Sequence, residues 1–362
     1  MSLLPDADAF KRLVDGSARG IGPALARAAL AGLSAPYAAA VACRNAAYDR
    51  GLLAAHSGGV PVVSVGNLTL GGTGKTPLVA WLARTWLERG LRPAIVSRGY
   101  GAARGTRSDE AAELAIVLPD VPHVADRDRV AAVRRAAAAG AEIVVVDDGF
   151  QHRRLARDLD ILAVDATDPW GCGRLFPRGL LREPLSGAAR AHAVVLTRAD
   201  AVGRDERLAI RRRLERLPRR GPPLVWVEST HRPLRLRSAA GGTRPLAALA
   251  GARMAAFAGI GNPTAFRRAV EDQGARVVGF RAWPDHHAYA DTDAVELGRW
   301  ARALGADFVV TTLKDLVKLP VDRLGDVPLY ALEIALEVLA GGDDLAALLE
   351  PVAGRAAAGR VA

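Results

Sequence analysis

The sequence predicts an α/β protein: a mostly parallel sheet with helices on both faces, a smaller second α/β domain, and an N-terminal helical segment. Three observations predict it. From residue 60 onward, apolar runs of strand length alternate with helical stretches, the pattern of a parallel sheet covered by helices. A glycine-rich turn at 64–77 follows the first of these runs directly. A nearly uncharged stretch, residues 21–42, precedes them all, with only Arg27 inside it.

The elements follow in order. Residues 1–18 are polar and lack the basic start, apolar run and small-residue cleavage site of a secretory signal. Residues 21–42 are almost long enough to span a bilayer, but alanine dominates and Pro23 and Pro36 are expected to cut the segment into short helices. That reads as an interfacial or docking hairpin, or equally as a segment packed on the core. Buried strands are expected at 60–66, 93–97, 142–148, 160–165 and 193–197, with helices at 75–89 and 127–139. A basic helix at 204–220 and the pair Pro222–Pro223 close this part. Residues 224–245, with Gly241–Gly242, suit a short β-hairpin linker. A second unit then offers strands at 254–260, 275–280 and 307–312 and helices at 263–273 and 291–304. The expected division is an N-terminal segment 1–50, a core domain 51–223, a linker 224–245 and a C-terminal domain 246–362.

Composition narrows the function. Half of the 362 residues are hydrophobic and 24% are charged, enough for a packed core. Cys43 and Cys172 lie far apart with no partner at metal-ligand spacing, which argues against a disulfide scaffold or zinc site and suits a reducing cytoplasm. The net charge of +10 favours an anionic partner. With aromatics at 5% and no RNA- or DNA-binding motif, a membrane surface or a phosphorylated substrate ranks above nucleic acid. Arginine supplies 45 of the 49 basic residues; lysine stands only at 11, 75, 314 and 318, and asparagine only at 45, 67 and 262. A lysine kept in such a chain suggests a chemical choice, since a compact ammonium and a planar guanidinium are different donors.

The segment SVGNLTLGGTGKTP runs from strand through glycine-rich turn to helix. Gly71, Gly72 and Gly74 let the backbone curl around a phosphate, and the helix N-terminus adds positive potential. Thr69, Leu70, Thr73, Lys75 and Thr76 complete the loop, Lys75 reaching the β- and γ-phosphates and Thr76 a Mg²⁺ ion. Thr69 stands where the usual P-loop pattern opens with glycine. IVVVDDGFQHRRL then provides a strand ending in acid, with Asp147 or Asp148 placed to hold Mg²⁺ directly or through water. These features make the core P-loop NTPase-like. Arg98, in SRGYG after a strand, suits either a phosphate contact or an ordinary surface position; WPDHHAY offers a carboxylate beside two histidines, or an exposed polar turn.

Together GNLTLGGTGKTP, VSRGYG, DDGFQHRRLARDLDI, GRLFPRGLLREPLS, FAGIGNPTAF, PDHHAY and TLKDLVKL resemble, in order, the tetraacyldisaccharide 4′-kinase family of lipid A biosynthesis, over roughly residues 35 to 320. The resemblance implies transfer of the ATP γ-phosphate to the 4′-hydroxyl of a tetraacylated disaccharide 1-phosphate. The enzyme would be a monomer on the cytoplasmic face of the inner membrane, peripheral or anchored by one helix, with no nucleic acid partner. It further implies that Lys75 neutralises the triphosphate and that Asp147, Asp148 and Gln151 organise Mg²⁺. Asp109 would take the hydroxyl proton, supported by His286. Arg98, Glu110, Arg153 and Glu183 are its substrate candidates. The chain departs from the family at Ser-Asp-Glu-Ala around Asp109, at Cys172 in place of asparagine, and at Leu313 in place of glutamate. Against the partner-switching ATPases that share GGTGKT, no lysine stands near the start of the loop.

Overall fold

The computed structural model describes residues 7–99, 108–219, 221–285 and 287–359. Its elements begin with α1 (Ala7–Asp15) and α2 (Ile21–Asp49), then β1 (Val62–Gly66), α3 (Lys75–Glu88), β2 (Pro93–Ser97) and α4 (Asp109–Val117). There follow β3 (His123–Ala125), α5 (Arg129–Ala138), β4 (Ile143–Asp147), β5 (Leu159–Asp165), β6 (Ala193–Thr197) and α6 (Arg204–Glu215). Next come β7 (Val225–Arg237), β8 (Thr243–Arg244), β9 (Arg253–Ala258), α7 (Pro263–Glu271), β10 (Arg276–Ala282) and α8 (Asp291–Ala303). The last are β11 (Phe308–Thr312), α9 (Leu313–Leu316), β12 (Arg323–Leu324), β13 (Val327–Ala340) and α10 (Gly342–Ala358).

The chain forms two compact units. The first comprises Met1–Gly99, Leu118–Thr230 and Leu336–Ala362; the second includes 108–117 and His231–Ala335. This border differs from the one the sequence predicts, which leaves 108–117 in the core domain and 336–362 in the C-terminal one. Helix α4 goes with the second unit because Ile116 and Val117 pack against that unit's apolar cluster. Helix α10 goes with the first, where Arg89 reaches Glu350 and Arg355 reaches Asp158.

Strands of the first unit lie in the order β3-β2-β4-β1-β5-β6-β7, all parallel neighbours. Strands β1, β2, β4 and β6 are buried along their whole length, which is why their sequences are unbroken apolar runs rather than alternating ones. Helix α3 covers them with Leu78, Leu82 and Trp86, all at 0% exposure. Strand β1 has β4 on one side and β5 on the other. The chain thus changes direction across β1, and such a switch opens a crevice at the carboxyl ends of the strands.

In the second unit β10, β9, β11 and β13 pair in parallel. Two apolar clusters, one including Phe257, Leu297 and Leu329 and the other Phe266, Val270 and Val310, form its core. Strand β7 is 13 residues long, and its end pairs antiparallel with β8 (Leu236 with Arg244).

Helix α2 corrects an expectation. It is one helix of 29 residues, not a hairpin of short pieces, and Pro36 lies inside it. Pro23 falls in the first turn, where a backbone N–H has no helical acceptor to lose; Pro36 forfeits one such bond, and the helix continues past it. Among the described residues α2 alone is long and apolar enough to cross a membrane, with mean hydropathy 1.3 and 6% of its most apolar window buried.

Candidate active site

The phosphate loop joins β1 to α3. A Cβ on Gly66 would fall 2.5 Å from the Phe150 Cβ and 2.8 Å from its backbone nitrogen, so only glycine lets the turn after β4 come this close. Asn67, fully buried, ties the loop across itself, its amide donating to the Thr69 carbonyl (2.8 Å) and the Thr73 hydroxyl (3.0 Å). From outside, Leu70 N–H donates to Leu180 O and Arg182 N–H to Leu68 O, each at 2.7 Å. The Thr197 hydroxyl donates to Thr73 O at 2.9 Å, and Arg198 to Gly72 O at 3.2 Å. Gly71 and Gly74 have φ of 115° and 76°, in the range that side chains resist. At Gly71 and Gly72 an added Cβ would meet nothing within 4 Å, so the loop is open on that side. Helix α3 begins at Lys75 with no side-chain cap, leaving its first N–H groups and its dipole to an incoming anion.

Strand β4 delivers the acids. Asp147, in register with Val65, is 6% exposed. Asp148 has a left-handed backbone, φ 54°. Its carboxylate accepts from one Arg182 nitrogen at 2.8 and 2.7 Å and lies 3.5 Å from the Lys75 ammonium. Burial would raise its pKa, but the charges of Lys75 and Arg182 outweigh that and bring it down to about 2. Asp148 is therefore committed to two cations, and of the two adjacent acids Asp147 is the one placed at the strand end beside β1. Arg129, 3% exposed, lies beside this pair: burial lowers its pKa to about 10 against the pull of Asp147 and Asp148. Burial, aided by Arg129, likewise takes His152 down to about 4, so it is neutral at pH 7. The Arg98 charge acts on both groups, which puts it beside this cluster.

Other sequence candidates are tied to neighbouring residues within the fold. Gln151 donates its amide to Asn67 O and to Glu183, both at 2.9 Å. Glu183, at 0% exposure, also accepts from Arg190 on both oxygens and from Asn45 at 3.1 Å. Its carboxylate faces no solvent. Arg153 binds α2 through Asp49 (2.6 Å), Asn45 O (2.9 Å) and the Tyr48 ring.

A magnesium ion would find few protein donors here: no group of three or more His, Cys, Asp or Glu able to hold a metal occurs among the described residues. That suits Mg²⁺, which keeps most of its waters and uses one or two protein groups plus substrate phosphates. Asp147 and Thr76 are the sequence's candidates for such a pair. The buried Asn67 Oδ1, with no hydrogen-bond partner, is free to accept from a coordinated water. The residues present fit the ion.

In the second unit Asp109 opens α4, and the Ser108 hydroxyl accepts from Ala111 N–H. Lys318 lies 3.7 Å from Asp109, and Lys314 lies 3.8 Å from Glu110 and 2.9 Å from Asp285. Lys318 is itself held 3.0 Å from the buried Asp315, which accepts from Gly259 N–H and the Thr312 hydroxyl. His286 lies outside the described residues. Lys318 and Arg198 were missed from sequence. Lys318 did carry a signal, as one of four lysines in an arginine-rich chain; Arg198 carried none.

A loop that closes on a helix opened by lysine, beside a strand that ends in acid, is a triphosphate holder, and it defines a P-loop nucleotide-dependent phosphotransferase. The sequence profile of the family described as tetraacyldisaccharide-1-P 4′-kinase matches residues 26–353, and the chain belongs to that family. A tetraacyldisaccharide 4′-kinase of Anaeromyxobacter sp. (strain Fw109-5) is 42% identical over 340 residues, 88% of this chain and 90% of that protein. The one from Syntrophus aciditrophicus is 39% identical over 83% of this chain and 87% of its own length. The crystal structure of the "apo" form of LpxK from Aquifex aeolicus in complex with ATP matches with a TM-score of 0.72 and 31% identity, covering 90% of this chain and 99% of that one.

Proposed function

We propose that the protein transfers the γ-phosphoryl group of ATP to the 4′-hydroxyl of a tetraacylated glucosamine disaccharide 1-phosphate, giving the 1,4′-bisphosphate. The observation that carries this reading is the position of Lys75 at the first turn of α3, 3.5 Å from Asp148 and beside the open face of the glycine loop. The sugar oxygen forms a bond to the γ-phosphorus as the bond from that phosphorus to the β,γ-bridging oxygen breaks, and ADP departs. The loop N–H groups and Lys75 hold the charge that collects on the phosphoryl oxygens. Asp148 and Arg182 keep the Lys75 ammonium aimed. Asp147 and Thr76 would hold Mg²⁺, which when bound neutralises charge on the β- and γ-oxygens. Asp109 accepts the hydroxyl proton, with Lys318 fixing its carboxylate and His286 assisting.

Helix α2 supports a site of action at a membrane surface, with Ile21 81% and Leu25 66% exposed. Lys11, Arg174 and Arg178 line a cavity of about 520 Å³ in the same unit together with Asp15 and Asp168, so positive charge there exceeds negative by only one. A monomer acting at the cytoplasmic face of the membrane is the form of the protein that agrees with this reading. The test is transfer of labelled γ-phosphate from Mg-ATP to tetraacyldisaccharide 1-phosphate in detergent micelles. Labelled bisphosphorylated lipid is expected, with none from Lys75→Ala; an unlabelled lipid with the wild type overturns the assignment.

A further inference from the structure

Amides are scarce in this chain: asparagine at 45, 67 and 262, glutamine at 151 and 273. Three of these five lie on one continuous hydrogen-bonded path. Asn45, near the end of α2, donates to Glu183 Oε2 at 3.1 Å. Gln151 donates to Glu183 Oε1 and to Asn67 O, both at 2.9 Å. Asn67 donates to Thr69 O and the Thr73 hydroxyl inside the phosphate loop. Neutral amides stand here although the chain elsewhere favours arginine and alanine. A fully buried carboxylate needs its donors in place, because an unmet charge in a low-dielectric interior is expensive. Glu183 thus couples the position of Asn45 to that of Gln151.

A second path runs through the neighbouring residue. The Tyr37 hydroxyl of α2 donates to Arg182 O at 2.6 Å, while the Arg182 side chain grips Asp148, the partner of Lys75. The contacts that α2 makes with the body recur at helical spacing, at Ser34, Tyr37, Asn45 and Tyr48. Ile21 and Leu25 point the other way, at 81% and 66% exposure. Lipid can therefore bind the apolar side of α2 while its polar side stays on the body.

We propose that Asn45 is a positioning residue that couples seating of α2 on the body to the shape of the phosphate loop, so that the helix that meets lipid also sets nucleotide affinity. The proposal rests on the reading above, in which the loop holds ATP and α2 meets a lipid surface. When lipid orders α2, the Asn45–Glu183 bond is favoured, and the loop is held in its binding form. Such coupling is reciprocal: if lipid tightens ATP binding by some factor, ATP tightens lipid binding by the same factor.

The experiment measures ATP affinity of the full chain by calorimetry, with and without vesicles of phosphatidylethanolamine and phosphatidylglycerol, and vesicle affinity with and without ATP. For the wild type, vesicles are expected to tighten ATP binding by about fivefold, and ATP to tighten vesicle binding equally. Asn45→Leu should still bind each alone but show neither shift. Asn45→Gln, which keeps the donor amide, should restore both. Wild-type affinities that do not depend on each other, or equal shifts in Asn45→Leu, overturn the coupling and leave the kinase reading standing. Absence of ATP binding or of vesicle binding in the wild type overturns both.

Discussion

The Arg198 guanidinium donates from both terminal nitrogens to the Gly72 carbonyl, 3.2 Å from each, while it pairs with the Asp165 carboxylate. Its own backbone is left-handed, φ 53°, a conformation uncommon outside glycine and one that cross-links like these can stabilise. The planar fork thus fixes the mid-loop carbonyl from the end of β6. Arg198→Met is expected to weaken ATP binding by about tenfold, the scale of a lost charged hydrogen bond. Arg198→Lys should recover little of this, because an ammonium cannot span the same two partners. Titration with a fluorescent ATP analogue reads both; wild-type affinity in Arg198→Met would remove the role.

Asp148 sits between Lys75 and Arg182 on a left-handed backbone that asparagine also tolerates. Asp148→Asn should keep the fold, with a melting temperature near that of the wild type, yet lower kcat on the order of a hundredfold as Lys75 loses its counter-charge. A variant as active as the wild type would show that the pair is incidental.

Lys318 bridges Asp109 and Asp315. Lys318→Met should lower kcat on the order of tenfold or more while leaving the ATP dissociation constant unchanged, since it loosens the proposed proton acceptor and not the phosphate loop. If the variant instead changed only ATP affinity, Asp109 would lose its proposed place in proton transfer.

His152 gives a pH signature. Its folded pKa is down at about 4, while an unfolded histidine titrates near 6.5. Between these values the unfolded chain binds the extra proton, so stability falls as pH drops from about 6.5 to about 4 and is insensitive to this group above that window. Asp148 acts lower: its stabilisation is complete above about 4 and is lost as pH falls toward about 2. Thermal melts across pH 4–7 should show a slope that His152→Gln flattens.

The sequence made the phosphate loop legible because its chemistry is local: strand, glycines, lysine and threonine are contiguous, and β1, β2, β4 and β6 are continuous apolar runs. What it concealed depends on distant contacts. Arg182, Arg190 and Arg198 are three arginines among 45, and only folding shows which of them meet Asp148, Glu183 and Gly72. Pro36 predicts a break in α2 by local propensity, yet the helix runs through it. Strand β13 went unread because VPLYALEIALEVLA mixes helix-favouring Ala, Leu and Glu with a few β-branched residues, and tertiary pairing with β11 decides it. Glu183 is a substrate candidate by motif, and only the fold shows it buried and tied to Asn45, Gln151 and Arg190.

The division of the chain also governs how it can be made. The unit that holds the phosphate loop draws on Met1–Gly99, Leu118–Thr230 and Leu336–Ala362, with the second unit's residues threaded between. During synthesis, Leu345, Leu349 and Val352 of α10, all buried, emerge only after the whole second unit has been made. The nucleotide-binding unit must then wait on the ribosome with that apolar face uncovered, a period in which a chaperone has something to hold and a protease something to cut.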